Sequence, residues 1–432
     1  MNFLNLNNIQ KILQFFVLIF PLVIILKSAA INIVLFVISL ISILLIIKNK
    51  NYSYFKDYFV AVIIFFLGFV FINSIIHFQN IEIVIKSLGN YRFLFLSFAV
   101  FLVLENISKK NYSLFIFFNF IIIIIIGLDV LYQYNFNKNI FGFVPGMCDS
   151  NLINCTRFSG MFGSELIAGA YLSQIGLLLF FLAIGENLKK SLYKKIIIYA
   201  VILFLFLIII LTGERNALLI FLICISVLCF FYKKIVIFLT SMTIFTIIFL
   251  LIAQNSFSIK TRYLDFFNHS ISVEESSITK KIMNTPWAYH YEAAFELFLE
   301  KPITGHGYKS FRAKCSETKI DKKLVEQKRK YRGYRGCSSH PHNYMLEMLS
   351  ENGMIGFLSL VTILIIILYK ILKIRKYPKS QNQFLAISIG SLLLALMFPF
   401  KPSGSFLSTF NASIFFYLLG FFIYYTKQLN QE

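Results

Sequence analysis

A chain of 432 residues that is 58% hydrophobic, with 51 Phe and 23 Tyr, holds more apolar surface than a soluble fold of its size can hide. Its formal net charge of +21 comes from basic residues scattered between the apolar runs. That distribution excludes nucleic acid as the partner and suits anionic lipid head groups.

Runs such as IIIIIIGL (121–128) and LFLFLIIILTG (203–213) lack the polar face of a surface helix, and repeated apolar stretches of roughly 16–20 residues predict membrane spans. From the N-terminus the spans are expected near 9–26, 31–47, 58–76, 88–104 and 113–131. The first lacks the basic patch and small-residue cleavage site of a signal peptide, so it counts as a span. An outer segment rich in Gly, Asn and Cys follows at 132–164. Four more spans are expected near 165–185, 196–212, 216–232 and 235–253, then a long connection at 254–342, then spans near 343–369, 383–400 and 406–425. The expected fold is an all-α polytopic membrane protein of about 12 transmembrane helices, a single integral membrane domain over 1–432 without repeats.

Orientation follows from Lys and Arg in the short connections. With the N-terminus inside, the cytoplasmic segments carry 18 basic residues and the short outer loops 7, while the other 16 lie in the long loop. Both termini are therefore expected in the cytoplasm and the long loop outside. Cys148 and Cys155 then lie in the first outer loop and Cys315 and Cys337 in the second, where disulfides persist, as two local pairs.

Within the long loop, WAYHYEAAFELFLEKP (287–302) sets Trp287, Tyr291, Ala294, Phe295 and Phe298 on one helical face, and Pro302 ends the helix. A glycine-rich turn, TGHGYKSF (304–311), comes next, and the basic stretch 317–335 is expected to loop out between Cys315 and Cys337. The whole reads as a helix-containing cap over the outer mouth of the bundle.

All six histidines (77, 269, 290, 306, 340 and 342) map to the outer side, five of them in the long loop. Imidazole chemistry there has no ATP or nucleotide sugar at hand, so an activated donor must arrive attached to lipid. In SHPHN, Pro341 suits the first helical position, with His340 as cap and His342 in the first turn. The positive helix end would keep His342 neutral and able to accept a proton, and its free N–H groups suit an anion. Two solvated histidines at an interfacial cap are the plainer alternative. Arg215, in LTGERNALLIF (211–221), enters between two spans with almost no connection, a costly place for a guanidinium that meets no anion. A head-group contact or a pair with Glu214 would also explain it. Arg157 is a candidate second phosphate contact. Glu165, Asp129 and Gln133 are candidates for sugar hydroxyls or for pairing with Arg. His290, His340 and His342 form no recognisable zinc pattern, so no metal and no cofactor are expected.

Taken together, GLDVLYQY (127–134), RFSGMFG (157–163), TGERNALL (212–219), KPITGHGYKSFR (301–312) and HPHNYMLEMLSENGMIG (340–356) resemble the O-antigen ligase and polymerase superfamily of bacterial envelope glycosyltransferases. The resemblance covers roughly 120–360, and HPHN followed by ENGMIG is its most specific part. It implies a GT-C-like architecture in the inner membrane and a metal-independent transfer on the periplasmic side. The implied donor is a glycan on undecaprenyl diphosphate. The implied acceptor is a lipid A–core sugar hydroxyl for a ligase, or another lipid-linked glycan for a polymerase. By motif, His342 is the implied general base and Arg215 the holder of the departing diphosphate. Ligases carry a further arginine in the loop helix, where this chain has His290; Arg262 and Arg312 on either side are the substitutes. His340 is left as a cap or partner to the base. Chain length and HPHN favour ligase over polymerase. A lipid-linked glycan flippase is the alternative from another class, but the two six-span halves it calls for are not seen. A monomer surrounded by membrane lipid is the starting expectation for assembly.

Overall fold

The computed structural model describes residues 6–49, 53–149, 154–185, 192–232, 235–265, 287–319, 337–429 and 431. His269 and most of the basic stretch 317–335 lie outside the described residues. Among those residues there is no sheet, only an isolated bridge between Gly146 and Arg157. The helices are α1 (Leu6–Ile25), α2 (Lys27–Asn49), α3 (Tyr58–Ile76), α4 (Ile81–Leu88), α5 (Tyr91–Asn106), α6 (Lys109–Phe136) and α7 (Ala168–Gly185). Then come α8 (Leu192–Leu211), α9 (Arg215–Phe231), α10 (Ile235–Asn255), α11 (Ala288–Glu300), α12 (Tyr344–Ile374), α13 (Gln381–Leu396) and α14 (Thr409–Leu429).

Each of the twelve expected spans coincides with an apolar helix. Among the described residues nine are long and apolar enough to cross a membrane, while Ile196–Leu211, Arg215–Phe231 and Gln381–Leu396 are shorter. The protein is a multi-pass all-α membrane protein. α5, α14, α13 and α7 form the buried heart, whereas α2, α3 and α10 turn much of their apolar surface outward. One end of the bundle is held by partly buried ion pairs, Lys370 to Asp57 at 2.6 Å and Lys427 to Glu105 at 2.8 Å.

The opposite end is organised by a break in α12. At Gly353 (φ 59°, ψ −160°) the helix stops and restarts, leaving backbone groups without helical partners. The 302–307 turn supplies them. His306 N and Gly307 N donate to the carbonyls of Ser350 and Glu351 at 3.1 and 2.8 Å. Met354 N and Ile355 N donate to those of Pro302 and Ile303 at 2.8 and 3.4 Å. Asn73 of α3 joins them by donating its amide to the carbonyls of Thr304 and Glu351. The glycine-rich turn is thus a plug in the membrane helix.

A Cβ at residue 353 would sit 2.3 Å from the Ile303 carbonyl oxygen, against backbone that is itself bonded. Gly353→Ala should therefore lower stability by about 2–4 kcal/mol, from overpacking and a left-handed backbone together. Gly142→Ala is the control, because Gly142 has φ +83° but nothing within 4 Å of the added carbon. Thermal unfolding in detergent should show the larger loss for Gly353→Ala. Equal losses would remove the steric argument.

Candidate active site

Two clusters of chemistry-bearing side chains form at this end. The first is imidazole. The rings of His340 and His342 lie 4.3 Å apart, centroid to centroid, and those of His342 and His290 5.5 Å. His290 comes from α11, which packs along α12 and seats Ala293, Ala294 and Leu297 against Phe311 and Cys315. Cys315 is joined to Cys337, so the strand carrying His340 and His342 is tied to the base of the cap. Cys148 and Cys155 are likewise joined, in the first loop. The packed face of α11 is turned from the expected one: Phe295 is 49% exposed, and beside the expected Ala294 the helix buries His290, Ala293 and Leu297. The partner surface around Cys315 selects that face, and its position was not readable from the helix itself.

The start of α12 also differs from expectation. Its cap is Asn343, whose Oδ1 accepts from Met345 N and Leu346 N at 2.9 and 3.1 Å. An Asn oxygen reaches those two donors well, which favours it as cap over an imidazole. Pro341 and His342 therefore precede the helix, and His340 is not the cap. His342 adopts a left-handed backbone, φ 58°, uncommon for a residue other than glycine. The strand is clamped from the 397–408 connection: Ser403 N donates to the His342 carbonyl at 2.8 Å, and Asn343 Nδ2 to the Pro399 carbonyl at 2.7 Å.

Burial, rather than the helix end, lowers the pKa of His342. His290 is drawn down to about 4 by burial and by His342. His340 reaches about 4 by burial, with His342, His290 and Arg312 adding to it. All three are neutral at pH 7, the state in which an imidazole accepts a proton.

The second cluster is guanidinium. Arg215 opens α9 and donates Nε to the Arg262 carbonyl at 2.9 Å, while Arg262 Nε returns a bond to the Gly213 carbonyl at 2.8 Å. Arg157 donates to the Leu166 carbonyl at 3.0 Å and lies within electrostatic reach of both. Burial, then Arg157, pulls the Arg262 pKa down. One carboxylate, Glu214, stands among these three cations, and its oxygens accept from Gly169 N and Ala170 N at the start of α7. Burial raises the Glu214 pKa to about 7, against the pull of Arg157 and of those two N–H groups. Three partly buried guanidiniums around one carboxylate make this cluster a candidate anion site.

Both clusters share an end of the bundle. Phe231 and Tyr232, at the far end of α9, lie beside Leu372 and Arg375 near the end of α12 and beside Gln383 at the start of α13. α9 and α12 therefore run the same way, and Arg215 and His342 both sit where they begin. His77 and His306 belong here too, beside Gly307 and Ser350 respectively.

Other expected residues fall elsewhere. Gln133 is fully buried and uses both ends of its amide on backbone, donating to the Phe143 carbonyl and accepting from Gly160 N. Asp129 accepts from Ile140 N at 2.9 Å. Both brace the first loop and offer nothing to a sugar. Arg312 stays outside the guanidinium cluster and acts on His340 instead. Lys401 was missed by the sequence reading. It is 2% exposed, lies over the Tyr344 ring at 4.6 Å, and burial brings its pKa down to about 7. Its signal, a KPSG turn after a span, is shared by many ordinary connections. Among the described residues, no group of three or more His, Cys, Asp and Glu is arranged to hold a metal ion.

No curated protein matches the chain. Residues 199–361 match the family model described as O-antigen ligase, a segment that includes Arg215, Arg262, His290, the 302–307 plug and both histidines of HPHN. With its many apolar helices and no sheet among the described residues, the chain is supported by this match as a member of the O-antigen ligase and polymerase superfamily.

Proposed function

We propose that the protein is a ligase-type glycosyltransferase of the bacterial inner membrane. It moves a glycan from undecaprenyl diphosphate to a sugar hydroxyl of lipid A–core on the periplasmic side, with both termini in the cytoplasm. One observation carries the reading: a neutral imidazole cluster and a cationic guanidinium cluster stand at the same end of a membrane bundle.

His342 takes the proton of the acceptor hydroxyl as its oxygen attacks the anomeric carbon. The bond from that carbon to the diphosphate oxygen breaks, and its electron pair leaves with the diphosphate. Arg215 and Arg262 face the charge that develops there, with Arg157 beside them. His340 and His290 pack around the base and help to exclude water from it, and that burial disfavours its protonated form. The short outer loops, with 7 basic residues against 18 in the opposite segments, support the orientation.

The test is acceptor dependence. Purified protein given lipid-linked glycan should form product only when lipid A–core is added. Elongation of the lipid-linked glycan without the core would replace the ligase reading with a polymerase.

A further inference from the structure

A third group of cations lies apart from both clusters. α2, the end of α4, the start of α5 and the 308–309 turn enclose a groove of about 810 Å³. Lys86, Arg92 and Lys309 line its polar part, and Phe36, Leu40 and Phe95 line the rest. Lys86 is paired with Glu82, which leaves Arg92 and Lys309 as the groove's other cations. Arg92 donates Nη1 to the Gly89 carbonyl at 2.9 Å, but its Nε is a buried donor with no acceptor among the described residues. Asn90 is itself 1% exposed and lines the same groove. A buried donor left without an acceptor is unfavourable, and an anion would satisfy it.

The groove opens onto lipid. Ile81, Ile85 and Leu88 recur on one face of α4 and are exposed, so this helix presents an apolar stripe left uncovered among the described residues, with Lys86 on its other side. Such a helix lies in the membrane interface. An occupant therefore needs both an anionic group and long apolar chains.

Position narrows the occupant further. Lys309 N donates to Glu351 at 2.8 Å, so this wall of the groove is fastened to the helix that His342 precedes. Arg312 lies within electrostatic reach of both Lys309 and His340, which puts the groove on the imidazole side of the site. We propose that the groove seats the acceptor glycolipid, with Arg92 and Lys309 gripping its phosphate groups and α2 and α5 taking its acyl chains. This rests on the transfer reading above and assigns the two substrates separate anion sites, with the donor diphosphate at Arg215.

Acceptor kinetics with full-length protein in lipid nanodiscs, at saturating lipid-linked glycan, test it. For the unaltered protein, removing the acceptor's phosphates should raise KM about tenfold. Lys309→Gln should raise KM for the phosphorylated acceptor severalfold. Lys309→Gln combined with Arg92→Gln should reach about tenfold, with kcat and donor KM within about twofold of the parent. The double variant should no longer distinguish acceptors with and without phosphate. The single variant keeps the test open if loss of Arg92 disturbs folding. Equal sensitivity to phosphate removal in parent and double variant would overturn the proposal. So would competition by phosphatidylglycerol at ordinary abundance, which would make the groove a general phospholipid site. In both cases the parent still transfers to the core, whereas a parent that never uses the core fails the transfer reading and this proposal with it.

Discussion

His342→Ala is expected to lower glycan transfer by about 10²–10⁴-fold, the range for loss of a general base. At roughly 1.4 kcal/mol per tenfold, that is about 3–5 kcal/mol of transition-state stabilisation. The loss should fall on kcat, with donor KM little changed, because the imidazole meets the proton only as the hydroxyl attacks. His340→Ala and His290→Ala should do less, since those rings surround the base. The pH profile gives a second readout. Burial lowers the His342 pKa below 6.5, so the unprotonated base predominates at pH 7. The acid limb of kcat/KM should therefore have its midpoint below pH 6.5. An acid limb above 6.5, or full activity of His342→Ala at normal membrane abundance, would remove His342 from the role of base.

The helices were legible because apolar runs without a polar face have few other fates, and every expected span meets one. What depended on distant contacts was not legible. SHPHN offers two helix starts, a Pro for the first position and an Asn for the cap. The choice falls to Asn343, which also reaches the Pro399 carbonyl 56 residues away. The break at Gly353 looks in sequence like one tolerated glycine in a long span. It exists because the 302–307 turn, some fifty residues upstream, supplies its bonds. IEIVIKSL (81–88) nearly alternates like a strand, and only the uncovered face of Ile81, Ile85 and Leu88 reveals an interfacial helix. At the site, Arg157, Arg215 and Arg262 were each visible as candidates, but their convergence needed three separate connections to meet. Gln133 shows the reverse error: a polar residue near a span end looked available and is spent on loop backbone.

Arg215→Ala should reduce transfer by about 10²–10³-fold, the usual consequence of losing one preorganised donor to developing negative charge. Arg215→Lys separates charge from geometry. A lysine keeps the positive charge but has no planar fork and no Nε to bond the Arg262 carbonyl, so a substantial part of the loss should remain. Arg262→Ala should weaken the same step, because Arg262 fixes the Gly213 carbonyl next to Arg215 and, in the proposed mechanism, faces the departing diphosphate. The two guanidiniums brace each other's segments, so the double variant should lose less than the product of the single losses. Independent multiplication of the two effects, in variants of equal abundance, would mean that they do not act as one unit. Donor binding decides where the charge acts. If Arg215→Ala binds lipid-linked glycan as the parent does yet transfers slowly, the guanidinium works on the diphosphate as it leaves. If binding falls as steeply as transfer, its role is to hold the donor in the ground state, and the rate difference must come from His342 and its neighbours.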